Sequence, residues 1–215
     1  MNKINEKDKN EAKTELGAVA FLDVLGWKGI WQENRMAIDS LHSLIIETRK
    51  KATIISLEYA EKHSELRGKT ITSVLSISDT IAIFTSAPPI VAVEIQARIC
   101  SWLLEYGISQ RIPLRGAISY GEYSIKDNIM LGYAVDEAAS WHETTDWIGV
   151  VITPSAKFHI DGERLNCITK YCNIPYKKSV KNMDLCIDWK YEDKTELLKI
   201  IQKKDHIFLK LLQNI

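Results

Sequence analysis

An α+β fold is predicted for this 215-residue chain: the βαββαβ core of a ferredoxin-like sheet, rich in antiparallel pairing, with helices flanking it. Three features predict it. Strand-length apolar runs alternate with two long helical patterns. Two of those runs meet at a two-residue tip, which makes them an antiparallel hairpin. The segment order then reads β-α-β-β-α-β, followed by further strands and helices. Residues 1–15 read as a polar leader and residues 16–215 as a single domain, long enough for one substantial core.

Each element has its own signal. Residues 17–24 (GAVAFLDV) alternate poorly, as a central strand buried on both faces does, and the turn Leu25-Gly26 closes them. Over residues 34–62 the apolar spacing becomes helical, with Leu41, Leu44, Ile45, Thr48, Ala52, Ile55 and Tyr59 on one face. A polar stretch, 63–69, breaks it. Residues 71–77 and 80–85 form the hairpin, with Ser78-Asp79 at its tip. Pro88 and Pro89 open a helix whose stripe is Ile95, Ile99, Trp102, Leu103 and Tyr106, and Gly107 suits its C-terminal cap. A strand over 114–123 follows, then a loop with a short strand (125–131), a helix (133–145) and a strand (147–153). Pro154 begins a short helix, residues 184–189 form a last strand, and Leu197 to Leu212 carry the stripe of a C-terminal amphipathic helix.

Composition excludes several classes of function. Twenty-eight basic and 28 acidic residues balance, so there is no basic excess for gripping nucleic acid. The first residues are charged and polar, without the apolar core of a signal peptide. Apolar runs are strand-sized, short of the roughly 20 residues of a membrane helix. Cys100, Cys167, Cys172 and Cys186 read as reduced thiols, and Cys167 and Cys172 lack the second pair that a zinc site needs. The expectation is a cytoplasmic chain with neither nucleic acid nor membrane as partner.

Asp23 is the anomaly of the first strand, because a carboxylate in an apolar run is costly to bury without compensation. In the predicted topology that strand neighbours the hairpin, so Asp23 and Asp79 approach one another. Two facing carboxylates repel unless a proton or cation sits between them, and magnesium or manganese is the cation that takes such oxygen ligands beside phosphates. A plainer reading stays open: Asp23 caps the turn through Gly26, and Asp79 is an ordinary turn residue.

These segments resemble the class III nucleotide cyclases. FLDVLGW resembles their first metal-binding strand, SISDTIAIF the hairpin with the second metal aspartate, LRGAISYGEY the strand with an Arg-x-Gly pattern, and LGYAVDEAASWHETTDWIGVVIT the late strand-helix-strand. The likeness is clearest over 19–155, with residues 156–215 as further elements. Within that group, the short chains with F-x-D-x-L-G, S-D-T-I and L-R-G-A-I look most like the Pycsar pyrimidine cyclases, which form cyclic UMP or cyclic CMP in bacterial anti-phage defence.

The resemblance implies a reaction and a set of residues. UTP or CTP would be cyclised, with release of pyrophosphate, at two divalent cations, Mn or Mg, held by Asp23, Asp79 and the Val24 carbonyl. Catalytic parts would come from both members of a homodimer, and the product would be read by a separate effector protein. Amides up to Gly26 and Trp27 would cradle phosphate oxygens. Phe21 shares the face of Asp23 and either lines the nucleotide pocket or belongs to the core. Purine cyclases have a lysine where this chain has Leu75 and an acid where it has Ile129, and losing both polar groups fits a different base. They also carry Asn and Arg where this chain has Asp136 and Ser140. Arg115 is the first candidate for the missing cation and Lys126 the second, with an ion pair to Glu122 or another acid as the alternative for Arg115. Trp27, Trp31, Trp141 and Trp147 flank the site and suit either an interface or the core. His142 and Glu143 read either as an acid–base pair or as a helix end with a dipole-stabilised histidine. The rivals are a non-catalytic nucleotide-binding domain, another phosphoryl transferase without the G-G-D/E-E-F signature, and a plain interaction domain.

Overall fold

A computed structural model describes residues 13–27, 35–177, 180 and 183–189 of the chain. Eight strands, β1 (Thr14–Val24), β2 (Thr72–Ile77), β3 (Thr80–Thr85), β4 (Leu114–Lys126), β5 (Ile129–Leu131), β6 (Gly149–Ile152), β7 (Ile168–Lys170) and β8 (Leu185–Ile187), form one sheet. Its order is β2-β3-β1-β4-β6-β8-β7, with β5 attached to β4. Every pairing is antiparallel except β4 with β6. The helices are α1 (Ala37–Lys62), α2 (Pro89–Ser109), α3 (Tyr133–Trp141) and α4 (Pro154–His159). No helix among the described residues is long and apolar enough to cross a membrane.

Side chains alternate along a strand, so the sheet carries apolar clusters on both faces, three among the described residues. Ala18, Ala20 and Leu22 of β1 join α1 and α2 in the larger cluster, through Leu44, Ile55, Ile95 and Leu103. Val19 and Phe21 face the other way, into a smaller cluster with Ala134, Val135 and Ala138 of α3. The predicted stripe of α1 is buried in full, and that of α2 is buried at Ile95, Ile99 and Leu103, with Trp102 and Tyr106 at its margin. Asp23 belongs to the α3 side by alternation, two residues beyond Phe21.

Several boundaries differ from expectation, each for a local reason. β1 begins at Thr14, so residues 14 and 15, expected in the leader, are strand. The Thr14 hydroxyl lies 3.1 Å from that of Ser124, and the Tyr123 hydroxyl donates to Glu15, so polar side chains extend the ladder. Gly107 does not cap α2. It lies within the helix, where a Cβ would stand 2.6 Å from the Ile112 carbonyl, and the left-handed residue of the reversal is Arg111, at φ +62°. α3 stops at Trp141 because the hydroxyl and amide of Thr144 both bond the Trp141 carbonyl. β4 runs on to Lys126, so Lys126 is a strand end and not a loop residue. β7 carries no apolar run to announce it. The C-terminal helix expected from Leu197 to Leu212, Trp31 and residues 1–12 lie outside the described residues.

Candidate active site

Asp23 is the penultimate residue of β1, and its ladder partners are Thr80 on β3 and Arg115 on β4. Its charge is compensated within the protein. Arg115 donates from Nη2 (2.9 Å) and Nε (3.2 Å) to the same oxygen, Oδ2, and from Nη1 to the Thr145 carbonyl at 3.1 Å. The two side chains are 12% and 14% exposed, Arg115 the deeper. Oδ1 of Asp23 accepts no hydrogen bond among the described residues, so one lone-pair-bearing oxygen is left open. The acid that pairs with Arg115 is therefore Asp23, and not Glu122.

Close approach of the strands makes this grip possible. A Cβ at Gly116 would collide with the Phe21 carbonyl, so glycine next to Arg115 lets β4 lie tight against β1. Phe21 itself is 6% exposed, and its ring centroid stands 6.0 Å from that of His142 at the end of α3. As placed, Phe21 supports the α3 packing beside Asp23.

Asp79 sits in the hairpin turn next to Thr80, the residue opposite Asp23. Ladder geometry puts the two Cα atoms roughly 6–7 Å apart, a span that two carboxylates can bridge through a shared ion. Ser78 takes a positive φ of 56°, which tightens the turn. Asp79 is half-buried and makes no hydrogen bond or ion pair among the described residues. No third His, Cys, Asp or Glu completes a cluster there among those residues.

Beyond β1, Gly26 adopts φ +73°, a left-handed turn, and the Leu25 amide bonds the Pro113 carbonyl at 2.9 Å. Leu25 is thus engaged, while the Gly26 and Trp27 amides donate to no acceptor among the described residues. A cavity of about 200 Å³ opens beside them, lined by Val24, Gly26, Trp27, Ser40, Arg111 and Ile112 among others. Ser40 lies in the first turn of α1. Arg111 was not anticipated at this position, and its unusual backbone is visible only in the folded chain.

The remaining candidates separate. Lys126 ends β4 eleven residues past Arg115, roughly 35 Å along the strand, so it cannot serve the Asp23 of its own chain. Trp147 is buried and stacks on Tyr171 at 5.7 Å, and Trp141 meets Tyr176 edge-on, so both are packing residues in this chain. Trp27 is half-buried against the larger core. His142 Nδ1 lies 2.7 Å from the Ala139 carbonyl, and Nε2 is 3.8 Å from exposed Glu143, the arrangement of a helix-end histidine. Asp136 and Ser140 lie exposed on α3, the Ser140 hydroxyl bonding back to the Asp136 carbonyl. Leu75 is half-buried with Ile125 and Met130 against the smaller core, while Ile129 is exposed.

Two supporting residues escaped the sequence reading. Thr145 supplies the carbonyl that anchors Arg115, and its own buried hydroxyl has no partner among the described residues. Glu137 of α3 accepts from the Thr153 hydroxyl and from the amide and hydroxyl of Ser155, locking α3 to the start of α4. The Thr-Pro-Ser stretch before α4 was its only sequence signal.

No protein-family model and no curated protein sequence matches the chain. Solved structures do. The catalytic core of a rhodopsin-guanylyl cyclase with converted specificity, in complex with ATPαS, matches with a TM-score of 0.60 at 16% identity, over 84% of this chain and 100% of the other. The adenylyl cyclase CyaB from P. aeruginosa matches at 0.53 and 16% identity, over 84% and 97%. An adenylate/guanylate cyclase/hydrolase from Silicibacter pomeroyi matches at 0.52 and 14% identity, over 84% and 99%. At these identities the likeness establishes the fold alone: an α+β sheet with flanking helices like that of these cyclase structures.

Proposed function

We propose that this chain is a metal-dependent nucleotide cyclase that converts a pyrimidine triphosphate, UTP or CTP, to its 3′,5′-cyclic monophosphate and pyrophosphate. The observation that carries the reading is the closeness of Asp23 on β1 to Asp79 in the turn that leads into the neighbouring β3, one with an open oxygen and the other without a partner among the described residues. An oxygen-only donor set of that kind suits magnesium or manganese. Asp23, Asp79 and the Val24 carbonyl would hold the two ions, which when bound would acidify the ribose 3′-hydroxyl and balance the charge of the departing pyrophosphate.

The chain's own residues then have distinct tasks. Arg115 fixes the Asp23 carboxylate in one orientation and adds positive charge beside the phosphates. The Gly26 and Trp27 amides present donors to phosphate oxygens at the mouth of the cavity. Apolar Leu75 and Ile129 offer nothing to a purine edge, which favours a pyrimidine. Because Asp136 and Ser140 lie exposed on α3, open to a second chain, we read the working unit as a homodimer with interfacial sites. We take residues 16–215, with Thr14 and Glu15 that open β1, as its single domain, and a cytoplasmic role in anti-phage signalling through a separate effector as its setting.

Incubation of the purified protein with each of the four ribonucleoside triphosphates and Mn²⁺, with mass spectrometry of the products, tests this. The expected result is a cyclic pyrimidine nucleotide that disappears in Asp23→Ala and Asp79→Ala. A second reading, a nucleotide-binding module without chemistry, is favoured by the absence of an arginine at Ser140. Metal-dependent nucleotide binding with no cyclic product from folded, dimeric protein would establish it in place of the first.

A further inference from the structure

Arg115 puts a positive charge at the spot where two doubly charged cations are required. It cannot swing away freely, since three of its donors are engaged, two on Oδ2 of Asp23 and one on the Thr145 carbonyl, in a site only 12–14% exposed. We infer that Arg115 makes metal binding depend on a bound polyphosphate: it opposes the divalent ion alone and favours the metal–triphosphate pair. This rests on the two-carboxylate reading above and concerns the order in which that site fills.

Charge counting gives the argument. Asp23, Asp79 and Arg115 together carry one net negative charge, too little to hold two divalent cations unaided. A triphosphate supplies the missing negative charge and a second partner for the guanidinium, whose planar donor fork matches phosphate oxygens. Oδ1 of Asp23 stays open throughout, so the metal needs no prior rupture of the ion pair. What Arg115 changes is the electrostatic cost. A unit charge about 6 Å from a divalent ion alters its affinity by about tenfold even at the dielectric constant of water, and by more in a shielded site. By linkage, the polyphosphate then gains from the metal whatever the metal gains from it. A chain built this way would leave its site unfilled by free cytosolic cation and would assemble it around the substrate.

The test uses the intact protein and three forms: wild type, Arg115→Lys and Arg115→Gln. Binding of Mn²⁺ alone is measured by the loss of free-ion EPR signal, and inorganic tripolyphosphate in saturating Mg²⁺ by calorimetry, so that neither readout depends on turnover or on the base. The expected result is that Arg115→Gln binds Mn²⁺ alone about tenfold more tightly than wild type. Tripolyphosphate should bind that variant more weakly, with Arg115→Lys close to wild type for Mn²⁺ alone. The inference is overturned if wild type binds Mn²⁺ and Arg115→Gln binds it no more tightly. Should Arg115→Gln not fold, wild type decides alone: its Mn²⁺ affinity must rise at least about tenfold with tripolyphosphate present, after correction for Mn²⁺ chelated in solution, and an unchanged affinity overturns the inference. Failure of wild type to take up Mn²⁺ with or without tripolyphosphate would instead overturn the metal reading beneath it.

Discussion

Asp23→Asn and Asp79→Asn should cost alike in activity and unlike in stability. Asp23 balances Arg115 in a site where the two side chains are 14% and 12% exposed. Breaking a fully buried pair costs about 3–5 kcal/mol and an exposed one about 0–1 kcal/mol. Asparagine keeps one oxygen that accepts a bond but not the charge, and the site is deep without being sealed, so the loss should be about 1–3 kcal/mol. In a domain of this size each kcal/mol moves Tm by roughly 2–4 °C, giving a fall of about 2–12 °C. Asp79 makes no bond among the described residues, so Asp79→Asn should move Tm by no more than about 1–2 °C. Both variants should lose at least about a hundredfold in cyclisation, since each removes a carboxylate proposed to hold the metal ions that stabilise the developing charge. The assay is thermal and urea unfolding in chelator, followed by circular dichroism, beside product formation with Mn²⁺ and the preferred triphosphate. Equal stability of the two variants would show that the Arg115 pair does not hold Asp23 in solution. Retained activity in Asp79→Asn would remove the second carboxylate from the mechanism.

Other expectations follow from the packing and the charges. Gly116→Ala should destabilise by about 2–4 kcal/mol, read as a lower urea midpoint at unchanged m-value, because its Cβ would meet the Phe21 carbonyl and wedge β4 from β1. Burial pushes the Cys186 thiol up to about 12 and raises that of Cys100 further, so in native protein only exposed Cys172 and half-buried Cys167 should react quickly with a thiol reagent at neutral pH, and denaturant should release the other two. The Asp184 carboxyl is held below its ordinary value by its hydrogen bond from Lys157, 2.8 Å away, so the folded state binds fewer protons there than the unfolded. Its contribution is present above the ordinary carboxylate range and is lost as pH falls through the lowered value, so acid titration of Asp184→Asn should show a shallower loss of stability below about pH 4 than wild type.

The parts of the fold that were readable are those where one local rule decides. The stripe of α1 and the two-residue tip between β2 and β3 are fixed by periodicity and turn chemistry, and both were placed closely. What failed was decided by particular contacts that periodicity and turn chemistry do not encode. Gly107 reads as a cap in isolation, yet it serves the return of residues 110–112 against α2. The end of α3 depends on one threonine hydroxyl. β7 exists because β8 offers it an edge, and its own residues carry little strand signal. Residue type leaves Trp147 between an interface and the core, and the fold decides for the core by stacking it on Tyr171, a residue remote in sequence.

Asp23 shows the same division inside the site. That a charge within an apolar run needs compensation could be read directly, and the hairpin could be recognised as its neighbour. The identity of the compensating group could not, because it depends on register: a shift of β4 by one residue would turn Arg115 to the opposite face and bring Gly116 across from Asp23. Glycine at 116 suits this register, since a Cβ there would meet the Phe21 carbonyl. The anomaly noticed first, an acid among apolar residues, thus has two answers in one place. Arg115 satisfies Oδ2 within the protein, and Oδ1 accepts no hydrogen bond among the described residues. A structural ion pair would engage the carboxylate as fully as its neighbours allow. One that holds a single oxygen leaves the other free to take a cation, which is what the proposed cyclase requires of Asp23.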